Sequence, residues 1–75
     1  MERYKNITGN SGVTAYGIGE DSISVEFSHD TLYLYTYAST GKRSIEKMKR
    51  LATEGKGLST YISRYVKDKF EKQLK

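Results

Sequence analysis

The chain has 75 residues, no cysteine, no proline, one histidine and seven tyrosines, with a formal net charge of +4. This length suits one domain, 1–75, near the lower limit for folding without staples; the missing cysteines exclude a disulfide framework, and one histidine cannot build a zinc site without several partners. The charge is unequally divided: residues 1–41 carry two basic against five acidic side chains, net −3, and residues 42–75 carry eleven against four, net +7.

The N-terminal "MERYKNITGN" has no hydrophobic stretch of signal-peptide type, and no apolar run approaches a membrane span, so a cytoplasmic protein without membrane contact is expected. The first predicted strand is "GVTAYGIG", weakened by Gly17 and closed by a turn around Gly19, Glu20 and Asp21. "SISVEF" follows as a half-buried strand, with Ile23, Val25 and Phe27 on one face and Ser22, Ser24 and Glu26 on the other. The third strand is "TLYLYTY", apolar or aromatic on both faces. Short connections make the three an antiparallel meander.

The register of the second hairpin decides which face the tyrosines take, because a one-residue slip exchanges the faces of a strand. An even turn sets Phe27 opposite Leu32 and leaves Tyr33 and Tyr35 beside Ser24 and Glu26. A three-residue loop, Ser28-His29-Asp30, sets Val25 opposite Tyr33 and Ile23 opposite Tyr35, so that the tyrosines share the core face. The odd loop is favoured, with Asp30 as the residue that tolerates left-handed backbone. Leu32 and Leu34 then form an outward apolar strip on what is expected to be an edge strand.

Beyond Thr40 the period becomes helical. Ile45, Met48, Leu51 and Ala52 form one stripe, Thr40 or Ser44 can cap the start, and Gly55 fits the left-handed position after the last turn. A second helix is predicted from about Leu58 to the last turn before Lys75, on the ridge Leu58, Ile62, Val66 and Phe70. The predicted fold class is α+β: a three-stranded antiparallel β-meander followed by two α-helices packed on one face, βββαα. Val13, Ala15, Ile23, Val25, Phe27, Ile45, Met48, Leu51, Leu58, Ile62, Val66 and Phe70 are the expected core, joined by Tyr33 and Tyr35 in the odd register.

No enzymatic constellation emerges. "STGKRS" lacks the Walker pattern, since Thr36 stands where its first glycine belongs and Arg43 follows Lys42. A milder phosphate contact there competes with an ordinary helix cap, and the cap is the simpler account. His29, Glu20 and Asp21 read as turn residues, and no serine or threonine has a basic partner in view. No catalytic residue, metal or cofactor is therefore expected. The remaining signal is basic helices beside tyrosines, the combination with which small folds bind single-stranded nucleic acid; solubility alone accounts for the basic helices equally well.

Tyr33-Leu34-Tyr35, preceded by the "SISVEF" strand and followed by a helix, a glycine-containing corner and a tyrosine-bearing segment, resembles the KTSC domain. That small module is found at the C-terminus of some lysyl-tRNA synthetases and as stand-alone bacterial proteins. The resemblance spans roughly residues 10–66. The chain departs from the family in having His29-Asp30 where members often carry an Asn-Gly type turn, and in its corner "EGKGLSTYISRY". The resemblance implies Tyr33 and Tyr35 as family-motif positions, no catalytic residues, and RNA binding as the activity suggested by the synthetase context.

Two functional expectations follow. The first is a non-enzymatic module for RNA or other nucleic acid, with Lys42, Arg43, Lys47, Arg50, Lys56, Arg64 and Lys67 on phosphates and Tyr37 stacking on a base. The second is a protein-interaction or homo-oligomerising domain that adds a strand at the apolar edge 31–37.

Overall fold

The computed structural model describes residues 1–7, 9 and 12–75, so residues 10 and 11 of the stretch carrying the family resemblance lie outside it. The chain is α+β, with a five-stranded antiparallel sheet in the order β1-β2-β3-β4-β5 and three helices. The strands are β1 (Glu2–Arg3), β2 (Val13–Ile18), β3 (Ser22–Phe27), β4 (Thr31–Thr36) and β5 (Lys72–Gln73). The helices are α1 (Tyr37–Thr40), α2 (Lys42–Glu54) and α3 (Leu58–Tyr61), the last running on as a π-helical turn, Ile62–Val66.

The central hairpin adopts the odd register. Ile23 pairs with Tyr35, Val25 with Tyr33 and Phe27 with Thr31. The left-handed residues are Ser28 and His29, at φ 55° and 65°, rather than Asp30. The Asp30 N–H closes the turn on the Phe27 carbonyl at 3.1 Å. Two successive positive φ values belong to a type I′ reversal, which matches the twist of the flanking strands.

On β2 the alternation breaks. The register shifts between Val13 and Ala15, so Val13 and Tyr16 face the interior while Ala15 turns to the outer face opposite Glu26. A bulge of this kind re-aims every side chain beyond it. Ala15 therefore leaves the expected core and Tyr16 enters it.

The buried cluster joins Tyr4, Val13, Tyr16, Ile23, Val25 and Tyr35 from the sheet side to Ile45, Met48, Ala52, Leu58, Ile62 and Val66 from the helices. Phe27, Tyr33, Leu51 and Phe70 pack against its rim. Neither Thr40 nor Ser44 caps α2: Gly41 occupies that position, at φ 99°, and contributes no side chain. Thr36 instead caps α1 in a reciprocal box with Ser39, each hydroxyl accepting the other residue's backbone N–H at 3.1 Å. The Thr40 hydroxyl donates to the Lys69 carbonyl at 2.9 Å, tying α1 to the C-terminal segment.

Gly55 ends α2 at φ 80°, and Gly57 turns the chain into α3 at the same φ. A Cβ on Gly55 would also lie 2.5 Å from the Lys5 Cβ, because the N-terminal segment crosses here and the Ile7 N–H donates to the Gly55 carbonyl at 2.8 Å. Glycine satisfies both the backbone angle and the crossing.

The long second helix does not form. Helical structure stops at Val66, and Lys67 takes φ 55° and ψ −122°. The rest of the chain returns along β4: the Glu71 N–H donates to the Leu34 carbonyl at 2.7 Å, the Leu74 N–H to the Leu32 carbonyl at 2.6 Å, and the Leu32 N–H to the Lys75 carbonyl at 3.2 Å. Unpaired strand groups are strong obligatory hydrogen-bonding sites, and pairing them competes with adding helical turns to a lysine-rich tail. Phe70 thus reaches the core from the irregular segment after the helix, not from a helical ridge. The expected edge strand 31–37 is also corrected, since β4 is flanked on both sides and ends at Thr36. Leu32 and Leu34 are half-buried on the outer face, opposite Glu26 and Ser24.

Tyr4, 3% exposed, accepts the Leu58 N–H at 3.2 Å and so satisfies a backbone donor in the first turn of α3. Tyr4→Phe keeps the ring but strands that buried donor. Urea denaturation should show a loss of about 1–3 kcal/mol; an unchanged midpoint would mean that this bond carries nothing.

Candidate functional site

Lys42 and Arg43 stand exposed on the first turn of α2, Lys47 is half-buried further along, and Arg50 is exposed with its Nε 3.9 Å from Glu54 Oε2. Lys56 is exposed in the corner between the two left-handed glycines, Arg64 is exposed on the π-helical turn, and Lys67 is exposed directly after it. A thirteen-residue helix is roughly 20 Å long, so Lys42 and Lys56 lie near opposite ends of it. Lys42, Arg43, Lys47 and Arg50 lie along α2, and Lys56, Arg64 and Lys67 lie on the segments that follow it. Among the described residues Lys42, Arg43, Lys47, Lys56, Arg64 and Lys67 make no ion pair.

Of the five front-half acids, Glu26 alone forms ion pairs among the described residues, with groups off the helices. Glu26 meets Lys75 at 3.5 Å and His29 at 3.8 Å. Lys49 is held between α2 and the β2–β3 turn, its Nζ 3.2 Å from Glu46 Oε2 and donating to the Glu20 carbonyl at 2.9 Å. It is a structural cation, and the sequence reading did not single it out.

Tyr37 does not stand free for a ligand. Its N–H donates to the Asp21 carbonyl at 2.9 Å, and its hydroxyl donates to Glu46 Oε2 at 2.6 Å. The ammonium groups of Lys42 and Lys49 lie 6.0 Å and 5.7 Å from its ring centroid, within cation–π range. The hydrogen bond to Glu46 raises the Tyr37 pKa and holds the Glu46 carboxyl below its ordinary value. Tyr37 is thus a fastener between β4, the β2–β3 turn and α2, already engaged at its hydroxyl and near two cations.

A second place collects aromatic rings. Tyr33 lies 4.4 Å from Phe70, 5.9 Å from Phe27 in an edge-on arrangement and 6.4 Å from Tyr35, centroid to centroid. These rings, with Thr31, Ile62, Lys67 and Asp68, line a cleft of about 360 Å³. The odd register brings three of the rings to one face, and the turn at Lys67 delivers the fourth. Of the predicted cations, Lys67 alone lines this cleft. The sequence reading found Tyr33 and Tyr35 through their alternation. It missed the cleft itself, because a helical tail would have carried Phe70 elsewhere and Asp68 away from the mouth.

Tyr35 is 1% exposed, and burial pushes its hydroxyl up to about 12, the neighbouring Tyr33 phenol adding to the rise. An unfolded tyrosine titrates near 10. A raised folded value means that the native state holds the proton more tightly, so this contribution is whole below pH of about 10 and disappears as the pH climbs through about 12. Denaturation midpoints across that window should fall less steeply in Tyr35→Phe than in the wild type; parallel curves would contradict the buried phenol. Compared with known proteins, the chain matches no family model, no curated protein and no solved structure.

Proposed function

We propose that the chain is a small KTSC-like, non-enzymatic module that binds RNA or another single-stranded nucleic acid in a cytoplasmic, bacterial setting. The observation that carries this reading is the state of the basic side chains. Six of the seven proposed phosphate contacts have no carboxylate partner among the described residues, although five acids lie in the first 41 residues. Unneutralised cations on a helix and on the turns after it attract a polyanion, whose counterions are released on binding. Lys42, Arg43, Lys47, Lys56, Arg64 and Lys67 would meet phosphates, with Arg50 contributing after exchange of its exposed contact to Glu54. Tyr37 leaves the list of stacking residues because its hydroxyl and surroundings are already committed.

Strand addition at 31–37, the competing expectation, has lost its ground: a partner strand would first have to displace residues 71–75 from β4.

Titration of labelled single-stranded RNA at a series of salt concentrations tests the reading. Log affinity should fall with log salt at about −0.7 per phosphate neutralised, and Lys42→Ala/Arg43→Ala should make the slope shallower by roughly 1.4 while weakening all sequences alike. A salt-independent affinity, or none at all, would refute it.

A further inference from the structure

We propose that the aromatic cleft takes one unstacked base of the bound strand, with the Tyr35 hydroxyl and the Asp68 carboxylate at the edge of the base and Lys67 on its phosphate. This rests on the nucleic-acid reading and assigns it a specific pocket.

Size is the first argument. Ligand pockets span roughly 300–1,000 Å³, and the cleft at about 360 Å³ sits at the small end, suited to one base and its sugar. Shape is the second. Four aromatic side chains form the walls, and flat π-faces at a sheet surface are what single-stranded nucleic acids use for sequence-tolerant stacking.

Polarity is the third and the most specific. Tyr35 is 1% exposed and lines the cleft, and its hydroxyl has no hydrogen-bond partner among the described residues. No side-chain oxygen or nitrogen among the described residues is both sealed from solvent and unpartnered. The Tyr35 hydroxyl is therefore an unused donor on a residue that lines the cleft. A purely hydrocarbon ligand would leave it unsatisfied, at a cost that a base edge avoids.

The mouth supplies the remaining chemistry. Lys67 and Asp68 line it side by side, both exposed, and neither forms an ion pair among the described residues. A lysine is a point charge for a phosphate, and a carboxylate accepts from amino groups on a base edge. Lys67 is held at φ 55° immediately after a π-helical turn. Positive φ is uncommon for a residue with a side chain, and π turns recur where a side chain must be placed for function. Arg64 and Lys69 flank it in the sequence, so the local charge also favours a nucleotide over a neutral aromatic compound.

The test compares two strands of equal length and charge with the full chain: a short single-stranded oligoadenylate and the same sugar–phosphate backbone without bases. The base-bearing strand should bind about 5- to 150-fold more tightly, the range expected for one stacked base. Tyr35→Phe should narrow the differences among oligoadenylate, oligocytidylate and oligouridylate. In the wild type, the ring resonances of Phe27, Tyr33, Tyr35 and Phe70 should shift on adding oligoadenylate, a readout that does not depend on a variant folding. Equal affinity for the two strands with a steep salt slope, or ring signals that stay still, overturns the cleft assignment and leaves the nucleic-acid reading standing. Binding to neither strand overturns both.

Discussion

The reversal at Ser28-His29-Asp30 sets the pairing of β3 with β4, and most of the interior follows from that pairing. With Val25 opposite Tyr33 and Ile23 opposite Tyr35, every side chain of β4 that is long and aromatic lies on the side of the helices. A slip of one residue would exchange Tyr33 and Tyr35 for Leu32 and Leu34, leaving the phenols beside Glu26 and Ser24. The interior would then lose its largest fully buried side chain, Tyr35. In a chain of 75 residues without disulfides, few other contacts are available to compensate.

The same pairing creates an opening that the rest of the chain fills. β4 presents its far edge, and the segment after Val66 answers it with backbone hydrogen bonds to Leu32 and Leu34. That return path carries Phe70 against Tyr33 and Tyr35 and sets Lys67 and Asp68 at the rim. Stability and the candidate pocket therefore share one cause. The tail closes an edge that would otherwise recruit other chains, and in closing it completes a cleft with aromatic walls and a charged mouth.

Charge is organised on a separate principle. Glu46 collects the Tyr37 hydroxyl and the Lys49 ammonium, and Lys49 reaches on to the Glu20 carbonyl, so this corner joins α1, α2 and the β2–β3 turn. No front-half acid forms an ion pair with a helical cation among the described residues, and Lys42, Arg43, Lys47 and Arg64 keep their charge unpaired there. Tyr37, expected to stack on a base, is instead hydrogen-bonded to Glu46 and Asp21, because a residue at a strand-to-helix junction is within reach of both elements.

Where local rules were sufficient, the sequence was enough. Alternation located Ser22–Phe27 and Thr31–Thr36, the stripe Ile45, Met48 and Ala52 located α2, and Gly55 located its end, because each of these signals is decided by neighbours a few residues away. The charge division between the halves is likewise a property of the sequence alone. What only the folded chain decided were the contests between distant groups: the bulge that turned Tyr16 inward, the Tyr4 hydroxyl placed under the Leu58 N–H, and the end of the last helix at Val66. The helical spacing continues to Phe70, yet the chain leaves the helix at Val66 and pairs with β4 from Glu71 onward, because strand groups far upstream offer hydrogen bonds that no local pattern records.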